Sequence, residues 1–133
     1  VALGAAARDA ADLAPLVQVK ALRDRFWASL QAQFGNRIAL NGHPEERLPN
    51  TANISFVGKV GADILSALDG VAASTGSACH SGHVELSPVL AAMQVPPEVG
   101  MGAIRFSLGR TTTEAEIDTV AADLVRIVRD EMT

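Results

Sequence analysis

Apolar residues recur in this chain with two different periods, and no single type of element satisfies both. Leu22, Phe26 and Leu30 return every fourth residue, with Lys20, Arg23, Asp24 and Arg25 interleaved. That spacing predicts an amphipathic helix from Leu16 to Phe34 burying one stripe. Asn53-Ile54-Ser55-Phe56-Val57 and Ile104-Arg105-Phe106-Ser107-Leu108 alternate instead, which predicts strands, the first of them half-buried. Helical stripes and alternating strands in one short chain point to a small α+β domain, with a short, largely antiparallel sheet and helices on one face.

The remaining elements follow from local chemistry. Val1 to about Leu13 is alanine-rich and helical in propensity, and Pro15 allows a new helix start. Gly35-Asn36 ends the second helix. Ile38-Ala39-Leu40 reads as a short strand, and Asn41 to Asn50, with Gly42, Pro44 and Pro49, reads as a loop. Gly58 and Gly61 bracket a turn before a short helix from Ala62 to Leu68, closed by Asp69-Gly70. Val71-Ala72-Ala73 is expected as a short strand. Ser87-Pro88 starts a further helix that ends before Pro96-Pro97. Thr113 with Glu116 makes a capping-box pattern ahead of a last helix, lined on one face by Ile117, Val120, Ala121, Leu124, Ile127 and Val128.

The 133 residues are 48% hydrophobic and 20% charged, enough apolar content to fold as one domain around a real core. The net charge of −4 comes with no basic stripe, so no nucleic-acid partner is expected. No apolar run is long enough for a bilayer span, so no membrane partner is expected either. One cysteine excludes an internal disulfide and fits a reducing compartment, with the cytoplasm as the expected location. The start, Val1-Ala2-Leu3-Gly4-Ala5-Ala6-Ala7, lacks Met and reads as the middle of a helix. The expectation is a fragment of a longer chain, with processing after a cleaved leader as the alternative.

Cys79 lies in Ala73-Ser74-Thr75-Gly76-Ser77-Ala78-Cys79-His80-Ser81-Gly82-His83, a run of small, polar and glycine residues. Free cysteine kept for packing more often lies in apolar surroundings. The thiol reads either as a nucleophile in an accessible, mobile loop or as an inert surface group. His80 and His83 beside it also raise a zinc site, but three ligands on one short loop leave the set incomplete, and no metal is expected. Arg105 falls on the strand face opposite Ile104 and Phe106. Its guanidinium suits a carboxylate if that face borders a cleft; otherwise it is a solvent-facing or structurally paired arginine. Gly100-Met101-Gly102 is too short for a dinucleotide fingerprint.

Several segments, in order, resemble the cysteine desulfurases, pyridoxal-phosphate enzymes of the class-V aminotransferase group that also includes selenocysteine lyases. Leu48-Pro49-Asn50-Thr51-Ala52-Asn53-Ile54-Ser55-Phe56 resembles a strand and its approach in that family. Ser74-Thr75-Gly76-Ser77-Ala78-Cys79 resembles the active-site cysteine motif, and Ser87-Pro88-Val89-Leu90 the helix after it. Ala103-Ile104-Arg105-Phe106-Ser107-Leu108-Gly109-Arg110 and Thr112-Thr113-Glu114-Ala115-Glu116-Ile117-Asp118 resemble the C-terminal strand and helix. Residues 1–34 resemble the helical segment that joins the family's two domains.

The resemblance implies a single C-terminal small domain of a fold-type I enzyme over residues 1–133. It implies that Cys79 is the catalytic nucleophile that accepts sulfur from L-cysteine as persulfide, with alanine released, and that Arg105 binds the substrate's α-carboxylate. It further implies a sulfur-acceptor protein as partner and a homodimer in the full enzyme. The family's cofactor lysine follows a histidine, and no His-Lys pair occurs here; Lys20 and Lys59 match no such position. Pyridoxal phosphate is therefore expected in the full enzyme, bound by an upstream domain. This chain alone is expected to bind none and to be inactive. A selenocysteine lyase domain and a stand-alone sulfur-carrier or interaction module are the alternatives.

Overall fold

The computed structural model describes residues 1–76 and 85–130. Helix α1 (Ala2–Ala10) is followed by α2 (Ala14–Phe34), with Pro15 in the first turn of α2, where a missing N–H costs nothing. Gly35, at φ +57°, closes α2 in a backbone region that favours glycine. Strands β1 (Ile38–Leu40) and β2 (Thr51–Phe56) come next, then α3 (Gly61–Ser66), α4 (Pro88–Ala92), α5 (Pro97–Gly100), β3 (Ala103–Ser107) and α6 (Glu114–Asp130).

The sheet runs β1-β2-β3, antiparallel throughout, and helices α2 and α6 pack against each other over it. This is the expected α+β architecture. Leu40 faces Ile54, Ile54 faces Ile104 and Asn53 faces Arg105 across the strands. The core lies between the sheet and the helices. Leu30, Ile54, Ile104 and Leu124 are wholly buried in it. Phe26 meets Phe106 edge-on at 5.0 Å, and Phe34 meets Phe56 at 5.7 Å, so both expected periods converge on the same aromatic contacts. The capping box forms as read: the Thr113 N–H donates to Glu116 Oε2 at 2.7 Å, and the Glu116 N–H donates back to Thr113 Oγ1 at 3.3 Å.

Four local expectations are corrected. Val71-Ala72-Ala73 is not a strand; of the described residues in this segment, only the next one, Ser74, pairs with β3, through a single bridge to Arg105. Pro96-Pro97 does not merely stop a helix but starts α5, because proline suits a first turn, and the Gly100 N–H reaches the Pro96 carbonyl at 2.8 Å. Arg23 is not on the solvent face: it is 4% exposed because the 41–50 loop crosses it, and its Nη1 donates to the Leu48 carbonyl at 2.8 Å. β2 is not half-buried along its length, since Ser55 is wholly covered.

Candidate functional site

Alternation on β3 leaves Ile104 and Phe106 buried and Arg105 exposed, so Arg105 projects from the sheet face opposite the core. Its side chain makes no hydrogen bond or ion pair with any described residue. Its backbone, in contrast, is fully engaged. The Arg105 N–H donates to the Ser74 carbonyl at 2.6 Å, and the Ser74 N–H donates to the Arg105 carbonyl at 3.2 Å. Ser74 Oγ in turn accepts from the Gly76 N–H at 3.1 Å, with Gly76 at φ +70°. The chain therefore turns away from the sheet directly after its contact with Arg105.

Because both backbone groups of Arg105 point toward Ser74, its pairing with Asn53 is of the non-hydrogen-bonded kind. Side chains approach most closely in such pairs, with Cβ atoms about 4.5–5.5 Å apart. Asn53 is fixed from its other side. Its carbonyl accepts from the Asn41 N–H at 2.9 Å, and its Oδ1 accepts from Asn41 Nδ2 at 2.7 Å. Asn41 Nδ2 also donates to Ser55 Oγ at 2.7 Å, which satisfies that buried hydroxyl. Ser74, Arg105, Asn53 and Asn41 thus form one polar row across the sheet. Period-two alternation puts Asn53 on the face of Arg105 and was the available signal for it. Asn41, in a glycine- and proline-containing loop, carried none.

The 41–50 loop is held down by arginines. Arg47 Nε donates to the His43 carbonyl at 2.9 Å and its Nη2 donates to the Asn41 carbonyl, while its Nη1 is buried without a partner among the described residues. Burial, and then the nearby Arg23 charge, hold the Arg47 guanidinium below its ordinary pKa. Burial pushes the Asp24 carboxyl up, but hydrogen bonds from Lys20 and Arg23 together outweigh it and leave it lowered. His43 Nδ1 accepts from the Glu45 and Glu46 N–H groups at 3.2 and 2.8 Å, a turn-forming role.

Cys79, His80 and His83 lie outside the described residues, so neither the expected nucleophile role of Cys79 nor a metal role of the three is joined to this geometry. Among the described residues no group of three His, Cys, Asp or Glu side chains is arranged to hold a metal. None of the described helices is long and apolar enough to cross a membrane. A cavity of about 580 Å³ opens between the Asp69–Ala72 segment and α6, lined by Phe26, Val71, Phe106, Leu108 and Val120 among others. It lies on the core side of β3 and its lining contains no cation, so the exposed row at Arg105 is the better match to an anionic ligand.

The family model described as aminotransferase class-V matches residues 4–120. The chain belongs to the class-V aminotransferase family. Within it, cysteine desulfurase 2 of Trichormus variabilis is 50% identical over 123 residues, covering 90% of this chain and 31% of the relative. A selenocysteine lyase of Rattus norvegicus is 42% identical over 112 residues, covering 80% of this chain and 26% of the relative. The chain thus spans less than a third of the length of these class-V relatives. The solved structure of a NifS-like protein from Rickettsia africae superposes with a TM-score of 0.72 at 23% identity, over 86% of this chain and 29% of that one, a likeness of fold.

Class-V membership implies pyridoxal phosphate in the full enzyme. The described residues do not fit that cofactor. Lys20 Nζ is paired to Asp24 at 2.8 Å on the exposed side of α2, Lys59 sits in the turn after β2, and neither lines the cavity.

Proposed function

We propose that this chain is the C-terminal small domain of a cysteine desulfurase-like enzyme. On this reading residues 1–34 join it to the rest of the protein, and pyridoxal phosphate is held outside these residues. The chain's own contribution is twofold. Cys79 is the nucleophile: as thiolate it takes the sulfur of L-cysteine, so that L-cysteine and the Cys79 thiol become L-alanine and a Cys79 persulfide. Arg105 is the clamp that holds the substrate's α-carboxylate with its planar fork. The persulfide then passes to an acceptor protein, in a homodimeric, cytoplasmic enzyme. Without the rest of the protein the chain has no desulfurase activity.

One observation carries the reading. A guanidinium without a partner among the described residues stands exposed on the sheet face opposite the core, and its strand is backbone-bonded to the segment that leads into Cys79. A cation so exposed adds nothing to the core and suits an anionic ligand. The 50% identity to a cysteine desulfurase supports the substrate. The 42% identity to a selenocysteine lyase supports a second reading, in which L-selenocysteine is the substrate at the same two residues.

The test uses the full-length protein. Cys79→Ala is expected to bind cysteine but release no sulfur. Arg105→Ala is expected to weaken amino-acid binding by about 1.5–3 kcal/mol, the range for hydrogen bonds to charged groups. Arg105→Lys should restore only part of that loss, since an ammonium lacks the fork. Full turnover in Cys79→Ala, or unchanged affinity in Arg105→Ala, overturns the assignment. Relative turnover of cysteine and selenocysteine separates the two substrates.

A further inference from the structure

The polar row beside Arg105 contains a second group suited to an anion. Asn53 spends its Oδ1 on Asn41, and the same Asn41 amide is tied to the buried Ser55 hydroxyl. This leaves the Asn53 Nδ2 as the atom of that side chain not engaged by Asn41. Asn53 is half-buried, opposite Arg105 in a non-hydrogen-bonded pair, where side chains lie closest. A carboxylate has about four acceptor sites, and a bidentate arginine uses two of them. The unused pair is open to a neutral donor alongside the guanidinium.

We propose that Asn53 is a substrate-binding residue, its Nδ2 donating to the same carboxylate that Arg105 clamps, with Asn41 as the positioning residue that fixes the amide's orientation. The proposal rests on the carboxylate role of Arg105. It adds that the site reads the carboxylate with one charged and one neutral donor. An asparagine is the right side chain for this, because it offers an acceptor inward and a donor outward at once.

The experiment measures competition by L-alanine and by L-alaninamide, which lacks the carboxylate, against cysteine turnover in the full-length protein. Asn53→Ala is expected to weaken L-alanine about tenfold, as loss of one hydrogen bond to a charged group does, and to leave L-alaninamide unchanged. Asn53→Asp keeps the inward acceptor for Asn41 but puts a carboxylate where the donor was. It is expected to weaken L-alanine more than Asn53→Ala does, and to leave the cationic L-alaninamide as tight or tighter. Equal weakening of both ligands by Asn53→Asp indicates a merely structural residue and overturns the proposal. If Arg105→Ala weakens L-alanine while neither Asn53 variant does, the Asn53 proposal falls and the Arg105 role stands. If Arg105→Ala itself leaves L-alanine unchanged, the carboxylate clamp falls and this proposal with it.

Discussion

Ser74 and Arg105 exchange two backbone hydrogen bonds, of 2.6 and 3.2 Å, and form the only bridge outside the named strands among the described residues. Ser74 stands five positions before Cys79 in the sequence. The proposed carboxylate clamp and the segment that leads to the proposed nucleophile are therefore fastened together at the sheet edge, with no side chain spent on the fastening. That leaves the Arg105 guanidinium without a partner among the described residues.

The bridge has a direct readout. Ser74→Pro removes the N–H that donates to Arg105, while the reciprocal bond from the Arg105 N–H keeps its acceptor. Losing one net hydrogen bond at an exposed edge should speed amide exchange at Arg105 by about tenfold. Exchange at Ile54 and Ile104, inside the ladder, should be unchanged. Equal exchange at Arg105 in both proteins shows that the bridge does not persist in solution.

The two aromatic contacts should dominate the core energetics. Phe26→Ala and Phe56→Ala each leave a large void at a side chain that is 1% exposed, and each should cost about 3–5 kcal/mol in chemical denaturation. A double-mutant cycle on Phe26 and Phe106 should show coupling of about 0.5–1.5 kcal/mol, the range for an edge-on ring pair. Additive losses contradict a direct contact.

The two periods in the sequence were enough to find this core, because burying a stripe or an alternating face is a local pattern. Thr113 and Glu116 were legible for the same reason: both halves of the capping box lie within one turn. Arg23 was misread because its burial is caused by the Leu48 carbonyl, far away in sequence, and nothing near Arg23 announces it. Val71-Ala72-Ala73 was misread because apolar residues there suit partial burial as well as pairing, and only the position of β3 decides where pairing begins. At the site, alternation located the face of Arg105. The register that places Asn53 opposite it, and the loop that brings Asn41 to Asn53, are long-range facts that no short window contains.

Gly102 and Gly58 should respond differently to the same substitution. A Cβ on Gly102 would stand 1.9 Å from the Phe56 carbonyl oxygen and 2.8 Å from its carbon, both backbone atoms. The Phe56 N–H also donates to the Gly102 carbonyl at 3.0 Å, so the strands cannot part without losing that bond. Gly102→Ala should prevent stable folding or shift the β2–β3 ladder. Gly58 has open space around it but a φ of +74°, so Gly58→Ala should cost only about 1–2 kcal/mol of backbone strain. Thermal melts of the two variants are the comparison, and a mild Gly102→Ala would contradict this packing.

Acid should loosen α6 at its first turn. Glu116 is held below its ordinary value of 4.5, first by the Thr113 N–H and then by the Thr113 hydroxyl, both of which donate to the ionised form. Asp118, two residues on, is held below its ordinary 3.8, first by its hydrogen bond from Arg25. A carboxyl whose folded value is depressed binds protons more weakly folded than unfolded. Its contribution is present in full above the unfolded value and is lost as pH falls through the folded one. Stability should thus be flat near neutrality and decline as pH drops below about 4.5. Glu116→Gln keeps a side chain able to complete the capping box but cannot ionise, so its melting temperature should fall less steeply with acid than that of the parent. Thr113→Ala removes the N-cap oxygen and should cost about 1 kcal/mol at neutral pH. In that variant Glu116 still has the backbone N–H as donor, so some of the acid sensitivity should remain. Melting curves of the three proteins from pH 7 to pH 3 give the test. Parallel curves for the parent and Glu116→Gln would show that the Glu116 carboxylate is not bound to the helix start.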